Sequence, residues 1–563
     1  MQLQPPSPLA QHALRPYLPV AAAVVLFLLM AAVVSPAPRD HQALAGNVDV
    51  PLAAGPQATV PGGAPAAGPE GSTPGAAGPG APSGGPGSSQ PGAGDGGGGG
   101  TNAAVGGVSP CPDRALQVPG DPYSPPCLTF SGDNGGETAT GVTGDEVIVT
   151  IRRLEGPTAA EIFSDISGES VVDSPEAYLN TLQALGEYFS TRFQFYGRKI
   201  RFEIFDGQGS GSSELLGGGR EAALADAVRA RELGAFADLS AITIPYADAI
   251  ARQGIIGFGA PYPSRAWFEE RRPFAWSLFP DGTLVSEAGA AATAARLAGQ
   301  ETAEYAGEGI KGKPRVYGLV APENAEYQAS VERYISAIAE KGITIKTSLR
   351  YKLDINSMPN QASNIIAQLK DSGVTSVVCA CDPVMLALGM APKANEQSWE
   401  PEWLTGGLAF VEQDMVAQLI DSRQWQHAFG TAFNAESEPQ GASFPYAAYK
   451  QIRPQDEPAF GVEEMYYSMY MLALGIHLAG PNLTPESFEA GMFSYQGASG
   501  PRGYWSFGPG DYTPVDDFRE IWWDPDRTSP QNNKPGAWVQ IDGGARYFAH
   551  NVPQGPAPFF QEG

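Results

Sequence analysis

Lys313-Pro-Arg-Val-Tyr-Gly-Leu-Val320 opens a stretch, ending at Pro383, that repeats one unit: apolar strand, amphipathic helix, apolar strand, helix, apolar strand. Gly312 and Pro314 punctuate the first strand on one side and Pro322 on the other, as expected for a short buried strand. In the helix that follows, Tyr327, Val331, Tyr334, Ile335 and Ile338 share one face, and Lys341-Gly342 supplies the stop. Ile343 to Tyr351 is the second strand, and a second helix aligns Ala362, Ile365, Ile366 and Leu369. Val374-Thr-Ser-Val-Val-Cys379 is the third strand. Strands and helices alternating this closely predict parallel crossover units, because a parallel pair needs a connection long enough to return across the sheet. Small ligands bind such sheets at the carboxyl ends of their strands. That places Ala321 to Tyr327 and Ala380-Cys-Asp-Pro383 at the functional edge.

The 563 residues allow several domains, but the 69 Gly and 51 Pro are concentrated near the N-terminus, so the folded part is smaller than the length implies. Lys+Arg 35 against Asp+Glu 61 gives a net charge of -26, which opposes binding to nucleic acid or anionic lipid heads. Leu18 to Val34 is an almost unbroken apolar run, near the lower limit of roughly 17 residues for a membrane span. An uncleaved anchor and a signal peptide cut near Ser35-Pro-Ala37 both fit it; Pro36 and Pro38 crowd the cut and favour the anchor. No cysteine directly follows the run, which argues against lipid attachment. Arg15 before the run tilts residues 1–17 toward the cytoplasm and the rest outside, as a single-pass cell-membrane protein with its domain on the extracellular side. Residues 35–108, mostly Gly, Pro, Ala and Ser, cannot bury enough surface to offset ordering entropy and read as a disordered tether. Cys111 and Cys127 bracket a Pro-rich run within the segment 109–144 and are expected to close it as a disulfide. Cys379 and Cys381 face one side of a strand, and a bonded pair and two thiols both remain open.

Folded sequence is expected from Asp145, with strands Glu146 to Ile151 and Lys199 to Asp206. Gly207-Gln-Gly-Ser-Gly-Ser-Ser213 superficially invites a phosphate-loop reading. Ser212 stands where a third glycine would fall and no Gly-Lys-Ser/Thr follows, so it reads as a flexible surface loop. A helix at 221–233, the segment Asp238-Leu-Ser-Ala-Ile-Thr243, a helix at 245–252 and Gly254-Ile-Ile-Gly-Phe258 complete a second α/β unit. Ser277 to Gly282 connects the two. The expected class is therefore α/β, two doubly wound lobes joined by extended crossovers.

The order of residues resembles the type 1 periplasmic solute-binding proteins of ABC importers, in particular the leucine/isoleucine/valine-binding family of actinobacterial type. The resemblance rests on Glu155-Gly-Pro157 after the first strand, Asp206, Gly254-Ile-Ile, Ser277-Leu-Phe-Pro-Asp281, Tyr327, the helix pair around Tyr466 to Pro481 and Leu483 to Phe488, and Trp505 to Gly510. It covers nearly everything after Asp145. It implies lobe 1 at about 145–283 and 434–490 and lobe 2 at about 284–433 and 491–563, closing on a small-molecule ligand by hinge motion. It also implies ABC permease and ATPase chains as partners. Site loops map to Leu154 to Thr158, Ser240 to Thr243, Pro261 to Ser264, Glu326-Tyr327, Cys381-Asp382 and Thr405 to Gly407. The hydroxyl run of that family appears here as Ser240-Ala-Ile-Thr243 and its Tyr-Gly as Tyr327-Gln328, departures that put a branched-chain amino acid in doubt.

Expected ligand contacts are Ser240, Thr243, Tyr262, Ser264, Tyr327, Asp382 and Gly406. Ser240 and Thr243 before a helix suit a carboxylate, Asp382 suits an ammonium, and Tyr262 and Tyr327 offer apolar faces. The competing reading makes Ser240 and Asp382 helix caps. His12, His41, His427, His477 and His550 show no metal spacing and no nearby nucleophile motif, so no catalytic residue, metal or cofactor is expected. His477 and the Tyr466, Tyr467, Tyr470 cluster read as core. The function expected is capture of a small polar metabolite, an amino acid or related compound, for an ABC importer; a membrane-tethered ligand sensor is the alternative.

Overall fold

The structure is a computed structural model that describes residues 107–155, 174–215, 217–354 and 357–561. The apolar run 18–34, the residues before it and nearly all of the tether lie outside these. None of the described helices is long and apolar enough to cross a membrane.

Strands β1 (Gly107–Pro110) and β2 (Leu128–Ser131) form an antiparallel pair. Strands β3 (Glu146–Glu155), β4 (Lys199–Ser210), β5 (Ala237–Ala241), β6 (Ile256–Gly259) and β7 (Ala275–Trp276) make a 5-stranded parallel sheet in the order β4-β3-β5-β6-β7. This is lobe 1. Val147, Val149 and Ile151 alternate along β3 and are fully buried, as a strand covered on its face by helices requires.

Strands β8 (Tyr317–Pro322), β9 (Ile345–Tyr351), β10 (Ser376–Cys379), β11 (Glu402–Thr405) and β12 (Ala428–Ala432) run parallel in lobe 2. Between them lie the helices Ala325–Glu340 and Met358–Asp371, the unit anticipated between Lys313 and Pro383. The four apolar positions of the second helix are all buried.

After the hairpin of β13 (Ala498–Gly500) and β14 (Gly503–Trp505), β15 (Phe518–Thr528) and β16 (Pro535–Gln540) add antiparallel strands beside β12. β17 (Arg546–Tyr547) pairs with β15. Trp505, Phe507, Tyr512 and Val515 pack in the lobe 1 core, so lobe 2 resumes at β15 rather than at residue 491.

The Pro-rich segment is built into lobe 1, which starts well before Asp145. Tyr123 is 1% exposed, stacks on Trp505 at 4.4 Å between ring centroids and donates its hydroxyl to the Gly503 carbonyl at 2.9 Å. Tyr467 and Tyr470 of the Val462–Ala479 helix pack against it edge-on, and Tyr466 packs on both of them. His477 in that helix is fully buried. Its Nδ1 accepts from Gln194 N at 3.1 Å, its Nε2 lies 3.0 Å from the Pro126 carbonyl, and burial pushes its pKa down to about 4. These contacts hold the segment that Cys111 and Cys127, bonded to each other, close into a loop.

Replacing Cys111 and Cys127 together by Ser should lower stability by about 3 kcal/mol, the chain-entropy value for a loop of roughly this size. Denaturant melts of the parent and the double variant check this; an unchanged midpoint would show that Tyr123 and its neighbours alone fix the segment.

Candidate functional site

At the carboxyl edge of the lobe 1 sheet stands Arg152, its side chain fully buried. Nη1 lies 2.8 Å from Glu214 and 3.2 Å from Asp226, Nη2 lies 2.8 Å from Glu214, and the guanidinium sits 3.5 Å above the Tyr246 ring. Two of the expected ligand contacts belong to this cluster. Thr243 donates to Glu214 and accepts from Arg152 at 3.4 Å. Ser240 donates to Asp238 at 2.7 Å and accepts from the Arg152 backbone N–H at 2.8 Å. Ser264 caps the short Arg265–Glu269 helix, accepting from Trp267 N. All three hydroxyls are satisfied within the protein, and none lines the cavity described below.

The Gly207 to Ser213 segment is not a surface loop. β4 runs on to Ser210, and the turn of helix Gly211–Leu215 carries Glu214 into the cluster. A side chain at Gly209 would sit 2.1 Å from Glu214 Oε1, and one at Gly207 would sit 2.8 Å from Asp226 Oδ2. The glycines thus make room for buried carboxylates rather than for phosphate.

In lobe 2, Asp382 follows β10. Its Oδ1 accepts from Val384 N at 2.9 Å and Met385 N at 3.0 Å, and its Oδ2 accepts from the Tyr351 hydroxyl at 2.5 Å. Both oxygens are used, with the helix-capping part anticipated as the competing role. Cys379 and Cys381 are bonded to each other in the same loop, which resolves the pair left open in the sequence.

Asp382, Tyr262, Tyr327 and Gly406 line a cavity of about 120 Å³. Its floor is the sheet face bearing Leu319, Val378, Leu404, Phe429, Thr431 and Glu520. Its roof is helix Gly282–Arg296, together with Tyr327, Ser330, Val331 and Tyr334 of helix Ala325–Glu340. The roof residues of the first helix, Gly282, Val285, Ser286, Gly289, Ala292, Thr293 and Arg296, fall at helical spacing on one face. Gly, Ala, Ser and Thr there leave space that larger side chains normally fill. The result is a slot between helices and sheet inside lobe 2, reaching Tyr262 of lobe 1. Its small-residue helix face was the legible cue that the sequence reading passed over.

The lobes touch beside this slot. Ala409 N donates to the Tyr262 hydroxyl at 3.0 Å, and Phe279 meets Phe410 edge-on at 5.6 Å. Glu412, in the same loop, is fully buried. Its Oε1 accepts from Asn434 Nδ2 at 2.7 Å while Oε2 has no partner. Arg502 and Arg519 also bond Asn434, at 2.5 and 3.1 Å, so this crossover between lobes is crowded with charge. Burial pushes the Glu412 carboxyl up to about 7, partly opposed by a backbone hydrogen bond and by Arg519. Among the described residues no group of three His, Cys, Asp or Glu is arranged to hold a metal.

A family model described as periplasmic binding protein matches residues 162–526. The chain belongs to the periplasmic binding protein family. Several solved periplasmic binding proteins share its fold. One is a fatty acid ABC transporter substrate-binding protein from Thermomonospora curvata, at 16% identity and a TM-score of 0.50, covering 76% of this chain and 99% of the other. A solute-binding protein from R. palustris in complex with 4-hydroxybenzoate has 14% identity, a TM-score of 0.49 and coverages of 72% and 97%. A leucine-, isoleucine-, valine-, threonine- and alanine-binding protein from Brucella ovis has 13%, 0.49, 73% and 97%. No protein of curated function matches the chain. At these identities the likeness is one of fold, and the relatives are substrate-binding proteins rather than enzymes.

Because the folded state holds the Glu412 proton more tightly than the unfolded chain, stability should fall as pH rises from about 4.5 to about 7 and level off above. Glu412→Gln keeps the Asn434 contact and removes this dependence. Thermal melts from pH 5 to 8 should show the variant gaining on the parent with rising pH, with a ceiling of roughly 3 kcal/mol. Parallel curves would place the proton elsewhere.

Proposed function

We propose that this periplasmic binding protein captures a small ligand between its two lobes and delivers it to the permease and ATPase chains of an ABC importer. The observation that carries the proposal is the slot over the lobe 2 sheet, bounded beyond the strand ends by Asp382 and Gly406 and reaching Tyr262 where the lobes meet. A pocket between closing lobes is the geometry by which such folds hold solutes. An amino acid or related compound is the class the resemblance implies. It would be held here by the walls of Tyr262, Tyr327 and Gly406, since the hydroxyls of Ser240, Thr243 and Ser264 and the carboxylate of Asp382 already have partners.

The Tyr262–Ala409 hydrogen bond is a latch between lobes. Tyr262→Phe leaves the buried Ala409 N–H unpaired in the closed form, a cost of about 1–3 kcal/mol that the open form avoids. Small-angle scattering of the variant should show a larger radius of gyration than the parent. Native mass spectrometry should find a small molecule retained by the parent and released more readily by the variant. A parent that never carries or binds a small molecule would overturn the proposal.

We place the domain outside the cell, held by the 18–34 apolar run through the Gly- and Pro-rich tether that precedes β1. Alkaline carbonate should leave the full chain with the membranes, and protease added to intact cells should release a fragment recognised by an antibody to the lobes. Release by carbonate alone would favour cleavage near Ala37.

A further inference from the structure

The slot in lobe 2 carries more information than its shape. Its walls are almost wholly apolar, yet two polar atoms on its floor, Thr431 Oγ1 and Glu520 Oε1, form no hydrogen bond, and Ser330 Oγ on the roof forms none either. Both floor residues are 1% exposed, and they face each other across the β12–β15 pair. A buried polar atom without a partner costs about 1–3 kcal/mol, so two in register beside a cavity mark the place where a ligand supplies the missing bonds.

The chemistry of the pair restricts that ligand. A carboxylate oxygen only accepts, and a hydroxyl both donates and accepts, so a ligand group able to donate and accept serves both. Among the described residues lining the slot Arg296 is the one cation. It is spent on Glu520 Oε2 at 2.6 Å and Asp542 at 2.7 Å. An anion entering here would meet Glu520 with no free positive charge to offset it. An ammonium would lie beside the Arg296 guanidinium. The size is that of one ring: about 120 Å³, against roughly 150 Å³ for an apolar protein cavity that takes benzene.

We propose that the slot binds an uncharged, single-ring-sized apolar molecule bearing a hydroxyl, a phenol in its simplest form. The hydroxyl donates to Glu520 Oε1 and accepts from Thr431 Oγ1, and the ring lies between Ala292 of the roof and Phe429 of the floor. This deepens the solute-binding reading and rests on it, by naming the ligand class and moving its anchor from the lobe 1 edge into lobe 2.

The test is titration calorimetry on the full chain in detergent with p-cresol, toluene, benzoate and leucine. p-Cresol should bind saturably and benzoate should not. Thr431→Val is close to isosteric and deletes an atom that has no partner in the protein, so the melting temperature should hold or rise. p-Cresol affinity should fall roughly three- to tenfold in that variant while toluene affinity stays unchanged. Ala292→Leu, which fills the slot, should abolish binding of both. Absence of saturable p-cresol binding, or an equal affinity in parent and Thr431→Val, would overturn the proposal. Leucine or benzoate binding in place of p-cresol would overturn it too, while leaving the solute-binding function standing.

Discussion

A fully buried guanidinium governs what the lobe 1 edge can do. Arg152 has given up its water and stays charged because Glu214 and Asp226 surround it and Tyr246 covers one face; burial opposes the charge, and the Glu214 contacts outweigh it. A buried pair of this kind adds little net stability, but removing one partner strands a charge and costs about 3–5 kcal/mol. It therefore acts as a constraint. It fixes the Gly207–Glu214 segment, requires glycine where the carboxylates pass, and occupies Thr243. With Asp238 holding Ser240, the hydroxyls best placed by the sheet to meet a ligand are already bonded.

Lobe 2 has the opposite character. Its edge loop is rigid, with Asp382 capping the next helix and bonded to Tyr351, and with the Cys379–Cys381 bridge alongside. Its interior is underfilled. Helix Gly282–Arg296 lines the slot with Gly282, Ser286, Gly289 and Ala292, where interiors ordinarily reach crystal-like density. A Cβ at Gly289 would already touch Tyr334 at 3.2 Å, so that glycine is needed for the two helices to pack while the slot beneath them stays open. The lobe 1 hydroxyls are thus bonded within the protein, and the unfilled volume lies in lobe 2.

The alternation of strands and helices was plainly legible, since apolar periodicity is a local property and parallel crossovers leave few arrangements. Strand positions in Lys313 to Pro383 agree with the structure within about two residues, a usual boundary uncertainty. The candidate site's cavity was legible in part. Tyr262, Tyr327, Asp382 and Gly406 follow strands and line the cavity, because the edge of a sheet is set by topology alone. What a hydroxyl bonds to is set by partners distant in sequence: Ser240 meets the backbone of Arg152, 88 residues away, and no local pattern encodes that. The Gly-rich 207–213 segment misled for the same reason, since glycines that admit a buried carboxylate look, in sequence, like glycines that admit solvent. The extent of lobe 1 was missed because Tyr123 and Trp505 find each other across most of the chain.

The crossovers set how far one lobe could turn against the other. The chain passes between lobes after β7, after β12 and before β15. At the last two, Arg546 bonds Asp517 at 2.8 Å and the Phe433 carbonyl at 2.8 Å, while Arg519 bonds the carbonyls of Asn434 and Ala435 at 3.1 and 2.9 Å. These arginines staple one crossover to another by backbone acceptors, so the hinge strands must turn together as a unit. Among the described residues the contacts beside the slot include a hydrogen bond from Ala409 N to the Tyr262 hydroxyl, one from Gly282 N to the Pro263 carbonyl at 2.8 Å, and an aromatic pair, Phe279 with Phe410. The Ala409–Tyr262 bond and the aromatic pair are together worth on the order of 2 kcal/mol, a small part of what fixes the crossovers.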